Sequence, residues 1–278
     1  MPHVTGELAQ LEIFQSLVTG VSLVARVGAT EGAAIRHFLR RSSCRSSNPS
    51  PYASSLTHEL KMNSGFFPAT DESIDWLSEL YLRAISKIDI YAAWSRYDAA
   101  ICPPGVRRIR LIDLDPFFTT HRWTFALEGR RVCFVSPFVD TMRAQYCRRA
   151  DLFSAPVLPD MDAVFVRAPM TNCGVNVANQ SWISNMRALE EDVIGEKPDV
   201  VVVGAGAYGL PLGVAAKAAG ISAVVLGGST QLLFGIIGNR WANDRQYRNL
   251  FNNNWVRPSE QERPAGFDGL EIQGGAYW

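Results

Sequence analysis

With 278 residues, 47% of them hydrophobic and 19% charged, the chain can bury the core of one large α/β domain or two modest ones. Its 27 Lys and Arg offset 27 Asp and Glu, which removes the global electrostatic case for a nucleic-acid partner. No apolar run reaches the roughly 18 residues of a membrane span, and no basic segment precedes an apolar stretch near the start. The expectation is therefore a cytoplasmic protein. Its five cysteines, Cys44, Cys102, Cys133, Cys147 and Cys173, lie far apart with no CxxC, as reduced thiols do.

In chain order, ELAQLEIFQSLV spaces Leu8, Leu11, Phe14 and Leu17 three apart and is predicted to be an amphipathic helix. Leu23–Val27 reads as a short strand, Gly28 as the turn out of it, and a second helix follows through Ile35 and Leu39. Residues 42–57, rich in Ser and Pro, read as a flexible surface loop or lid. Thr70 or Asp71 then caps a helix whose buried stripe is Ile74, Leu77, Tyr81 and Ile85. Strands are expected at 88–94, 108–114, 131–138, 163–169, 199–203 and 222–228, with helices over 140–153, over 182–195 and through Ala219. Such alternation predicts a Rossmann-like, doubly wound α/β domain, its mainly parallel sheet covered by helices on both faces. The domain is expected to span 1–278, with residues 1–20 as a helical extension. Ligands of such sheets bind outside the carboxyl ends of the strands, here RVGATE, VSPFVD, VGAGAYG and LGGSTQ.

The most informative stretch is DVVVVGAGAYG, in which Gly204, Gly206 and Gly209 fit GxGxxG between a strand and a helix. An NAD site also needs an acid near the end of the next strand, and an NADP site an arginine. That strand instead ends in Gly227, Gly228, Ser229, Thr230 and Gln231. The glycines serve either close helix–strand packing or the approach of backbone to an anion. Arg240 and Trp241 place a cation beside a flat ring, suited to a phosphate and a base or pyranose, with a local ion pair and a core position as the plainer readings.

GAGAYGLPL, LGGSTQLLFGIIGNRW, NNNWVRPSE and EIQGGAYW follow one another, after VARVGATEG, NSGFFPATDE, RRVCFVSPFVDTMRAQY and LFSAPVLPDMD. In that order, over roughly residues 20–278, they resemble a group of bacterial and viral proteins of the GT-D glycosyltransferase fold type. The resemblance implies a Rossmann-like domain that moves a hexose from a nucleotide sugar, typically UDP-glucose, to a glycan or glycoconjugate acceptor. It also implies Mn2+ or Mg2+ at a Gly-Asp-Gly-Glu turn. Here the turn is Gly28-Ala29-Thr30-Glu31: Glu31 matches as base or metal ligand, and alanine replaces the aspartate.

Glycosyl transfer needs charge to stabilise a leaving diphosphate, a base for the acceptor hydroxyl and a cleft for the nucleotide. Arg26, Arg240 and the GAGAYG turn are the candidates for charge. Glu31 leads as base, against a plain helix-dipole role. Asp113, with Asp115 beside it, and His121 in TTHRW are further catalytic candidates, against capping and surface roles. Asn63, Phe66 and Phe67 of NSGFFP are candidates to line the cleft, the two phenylalanines equally core. Tyr208, a large ring in a glycine turn, is a candidate to stack on a base or bond a phosphate. The other open readings are an NAD(P) oxidoreductase and a non-catalytic nucleotide-sugar-binding scaffold.

Overall fold

A computed structural model of the chain describes residues 3–43, 50–174, 181–263 and 276–277. Helix α1 (Glu7–Thr19) leads into β1 (Leu23–Ala25), α2 (Ala29–Ser43), α3 (Ser54–Glu59) and α4 (Asp71–Ile85). There follow β2 (Ile90–Ala93), α5 (Asp98–Ile101), β3 (Arg107–Arg110), β4 (Arg131–Ser136), α6 (Val139–Tyr146) and β5 (Asp162–Arg167). The last part holds α7 (Trp182–Gly195), β6 (Val200–Val203), α8 (Gly209–Ala218), β7 (Ser222–Val225) and two one-turn helices, α9 (Asn239–Ala242) and α10 (Arg245–Arg248).

The seven strands form one sheet in the order β3-β2-β1-β7-β6-β4-β5, and every pairing is parallel. The predicted α/β class is the observed one. β6 explains why its sequence is the plainest strand signal: all four valines are fully buried, as in a strand covered on both faces. Successive strand residues feed two cores. Leu23, Val135, Val203 and Val225 join α2, α4, α7 and α8 on one face. Val24, Phe134, Val202 and Val224 join α1 and Phe234 on the other.

Most expected elements are present with shorter bounds. The stretch 108–114 splits into β3 and a 3-10 turn over Leu111–Leu114, and the helix expected over 140–153 ends at Tyr146. Thr70 caps α4, accepting from the Ser73 amide at 3.3 Å, and all four residues of the expected stripe are buried. Residues 42–57 are more ordered than a loop where they are described. α2 runs to Ser43, Tyr52 is buried in the core and α3 starts at Ser54, while residues 44–49 lie outside the described residues. α1 differs in register. Leu8 is 66% exposed, whereas Ala9, Ile13 and Leu17 are buried in the second core. Among the described residues no helix is long and apolar enough to cross a membrane.

Candidate functional site

Four adjacent strands, β1, β7, β6 and β4, end at one edge of the sheet, and the segments leaving them wall a cleft. One lobe, enclosed between the segments that leave β4 to β7, is formed by Ser136–Phe138 after β4, Ala168–Met170 after β5, Gly204–Gly206 after β6 and Gly227–Gln231 after β7. Its second lobe, a basin, is formed by Arg26 and Gly28–Glu31 after β1, with Trp94, Gly209 and Arg240. The lobes share Arg26, Asn63, Ser64, Ala205, Gly206, Gly227 and Tyr277. They contain about 660 and 670 Å3 of space free of atoms, open solvent at their mouths included.

Two glycines make this closeness possible. Gly206 has φ +52°, and a Cβ there would sit 2.8 Å from the Ser64 carbonyl oxygen. That contact brings the GAGAYG turn against the turn Leu60–Ser64 that ends in NSG. Gly227, at φ +71°, leaves room for the Arg26 guanidinium, which a Cβ would overlap. The Arg26 guanidinium also lies 5.6 Å from the centre of the Trp94 ring, and Trp94 is held by its indole N–H to the Val27 carbonyl at 2.8 Å. Arg240 lies 5.6 Å from the Trp241 ring centre and 5.2 Å from that of Tyr277.

Glu31 is buried, and its carboxylate folds back over Gly28, where a Cβ would overlap Oε2. Among the described residues no hydrogen bond or ion pair satisfies that carboxylate. Deeper in the enclosed lobe, Thr230 Oγ1 and Gln231 Oε1 are buried without a partner, while Gln231 Nε2 donates to the Ile236 carbonyl at 3.1 Å. Buried polar atoms without partners are rare in folded proteins, and here they line a cavity.

Other candidates take structural roles. Tyr208 is fully buried, its ring stacked on Trp182 at 4.9 Å and 8°, and its hydroxyl 3.2 Å from Thr171 Oγ1. It forms the wall of the enclosed lobe, but its ring faces are committed to the core, because α7 delivers Trp182 against it. Trp241 is buried behind the cleft, in contact distance of Gly228, and supports Arg240 from below. Phe66 belongs to the core, and Phe67 packs on it.

Asp113 is not brought to the cleft. Arg110 donates to it at 2.6 and 2.7 Å and the Gly6 amide at 2.9 Å. Burial alone raises this carboxyl, but those donors overcome it and hold it below the usual range. An ion-paired carboxylate is a poor base. His121 also lies elsewhere, exposed beside Glu7, whose Oε2 is 3.2 Å from Nδ1. Asp115 is the opposite of Asp113. It is buried, accepts from the Tyr247 hydroxyl at 2.5 Å, and burial pushes its carboxyl up to about 6 against the pull of Tyr247, Ser229 and Arg26.

The chain superposes on the selenomethionine-substituted structure of domain of unknown function 1792 with a TM-score of 0.50 and 11% identity, covering 94% of this chain and 92% of that one. The two share a fold. No protein-family model matches the chain, and no curated protein matches its sequence.

The sequence reading missed Trp94, Ser64, Met170 and Asn172, which complete the walls. Asn172 Nδ2 donates to the Asn63 carbonyl at 2.8 Å, tying the segment after β5 to NSGFF. Trp94 carried a signal: a tryptophan just past a strand end, where the rim of such a sheet lies. The divalent ion implied by the resemblance fits this basin poorly. Mg2+ and Mn2+ prefer several oxygen ligands. Among the described lining residues Glu31 is the one carboxylate, Ala29 contributes a methyl group, and Arg26 and Arg240 contribute two positive charges. No group of three or more His, Cys, Asp or Glu side chains among the described residues could hold a metal.

Proposed function

We propose that the protein is a glycosyltransferase that moves a hexose from a nucleotide-activated sugar, a UDP-sugar first among them, to a glycan or glycoconjugate hydroxyl. The observation that carries this reading is the two-lobed cleft at the carboxyl ends of β1, β7, β6 and β4, where Arg26 and the unpartnered Glu31 meet the glycine turns. The resemblance of the GATE, GAGAYG and LGGSTQ segments to GT-D proteins supports it, and so does the shared fold. Against a nicotinamide cofactor stands the end of β7, which offers Gly227–Gln231 and no acid for a ribose.

In this reading the acceptor hydroxyl oxygen bonds to the anomeric carbon of the donor. The bond from that carbon to the diphosphate oxygen breaks, and its electron pair leaves with the nucleoside diphosphate. The acceptor's proton passes to Glu31, and Arg26 with Arg240 stabilises the charge of the departing diphosphate. Thr230 and Gln231 offer hydrogen bonds to the uncharged part of the donor in the enclosed lobe.

The test is thermal unfolding in the presence of UDP, GDP, CMP, UDP-glucose, NAD and NADP, followed by donor-cleavage assays. A ligand at 100 times its dissociation constant adds about 2.7 kcal/mol, so the matching nucleoside diphosphate raises the melting temperature visibly. Glu31→Gln keeps that shift and loses about 100-fold or more in donor cleavage. A shift with NAD or NADP alone overturns the reading. A nucleotide-sugar shift with no transfer to any acceptor and no hydrolysis assigns the protein as a binding scaffold instead.

A further inference from the structure

We infer that the cleft neutralises the diphosphate of its ligand with Arg26 and Arg240 in place of a divalent metal ion. The inference rests on the nucleotide-sugar reading and specifies how that site handles charge.

Arg26 is half-buried, yet it has no carboxylate within salt-bridge distance among the described residues, and neither has Arg240. The contrast with Arg110 and Arg131, which pair with Asp113 and with Asp162 and Glu196, is one of purpose as well as position. A cation partly withdrawn from water with no carboxylate in contact, only the longer-range attraction of Asp115, is costly, and the fold maintains that cost. It places Gly227 where a side chain would displace the guanidinium and braces the same group on Trp94. Arg240 is exposed, but its guanidinium is held beside the rings of Trp241 and Tyr277, and its backbone N–H donates to the Ala276 carbonyl at 3.2 Å. Both guanidinium groups line the basin that also contains Glu31.

A dication bound by Glu31 would share this basin with two fixed positive charges. Like charges held close at a protein surface repel, and a dication is repelled more strongly than a monocation. The second carboxylate that would offset such repulsion is absent, because position 29 is alanine. A diphosphate, by contrast, suits two planar forks that each present parallel N–H donors to oxygen pairs. The exchange of carboxylate for alanine in GATE and the two unpaired arginines are thus two sides of one arrangement. It leaves Glu31 free of metal and available as a base.

Calorimetric titration with UDP and with inorganic pyrophosphate, each in EDTA and again in Mn2+, tests the inference directly. UDP is expected to bind in EDTA with a dissociation constant within about twofold of that in Mn2+. Arg26→Gln and Arg240→Gln are each expected to weaken both ligands by about tenfold or more, the scale of a lost charge-assisted bond. Arg26→Lys, which retains the charge and guards against a folding artefact, recovers part of the loss. Binding that appears only with Mn2+, or glutamine variants that bind as well as the parent, overturns the inference and leaves the nucleotide-sugar reading in place. Failure of UDP, GDP and CMP alike to bind in either medium overturns that reading, and the inference with it.

Discussion

Asp113 and Asp115 are two positions apart in one turn, and their surroundings drive them in opposite directions. Asp113 faces the Arg110 fork and the Gly6 amide. Asp115 is withdrawn from water and receives the Tyr247 hydroxyl. Burial raises the Asp115 carboxyl from the usual 3.8 to about 6. The sign of the resulting pH dependence follows from that direction. Below about pH 4 the group is protonated whether the chain is folded or not, and stability is at its fullest. As pH rises through 6 the folded state must ionise a buried carboxyl, and stability falls. A shift of this size corresponds to about 3 kcal/mol. Asp115→Asn, whose side-chain oxygen still accepts from Tyr247, is expected to be more stable than the parent at pH 8 by an amount of that order, with the gain vanishing near pH 4. Denaturant unfolding at both pH values measures it, and a gain that is the same at both would rule out ionisation as its cause. Arg110 lies only three positions from Asp113, but Gly6 and Tyr247, which complete the contrast, come from 107 and 132 positions away, so the spacing of IDLD does not distinguish the two aspartates.

At the scale of elements, α1 teaches the same lesson about register. A helix turns about 100° per residue, so a stripe at intervals of three slips back by about 60° at each step, and Leu8 ends about half a turn from Leu17. The four-residue interval of Ala9, Ile13 and Leu17 drifts less, and that is the stripe the second core takes up. Ile13→Ala is therefore expected to cost about 2–5 kcal/mol, as other deletions from a packed core do. Leu8→Ala, at an exposed position, is expected to stay within about 0.5 kcal/mol. Comparable losses for the two would return the helix to the register read from the leucine spacing. α4 was legible without ambiguity because its stripe at 74, 77, 81 and 85 mixes intervals of three and four, and Thr70 marks its start. The strand ends were overextended for a physical reason. Leu111–Leu114 is as apolar as a strand, but it turns inward as a 3-10 segment that packs beneath α1.

For the whole molecule, the cleft depends on segments that meet only in three dimensions. The contact of Gly206 with the Ser64 carbonyl joins residues far apart in the chain, and neither has room to move. Gly206→Ala adds a Cβ 2.8 Å from that oxygen at a backbone angle favoured by glycine. The change is expected to destabilise the fold by about 1–3 kcal/mol. It is also expected to weaken nucleotide binding by forcing the two turns apart. Thermal melting with and without UDP separates the two effects. A variant that melts with the parent and binds as well would mean that the turn has slack the geometry denies.

The amino-acid sequence by itself determined the α/β class, the order of most elements and the glycine turns that rim the sheet. These are local properties, set by hydrophobic period and by the few residues that tolerate a tight turn. It also marked Arg26, Glu31 and Arg240 as candidates, since Arg26 lies at the end of a predicted strand and the other two follow a glycine turn. Only the tertiary structure decided among the acids and bases. It committed Asp113 to an ion pair, left His121 on the surface, and turned the ring of Tyr208 to Trp182. It left Arg26 and Glu31 in one basin with no salt bridge among the described residues, because a side chain's solvation and its neighbouring charges are set by residues the chain brings from elsewhere.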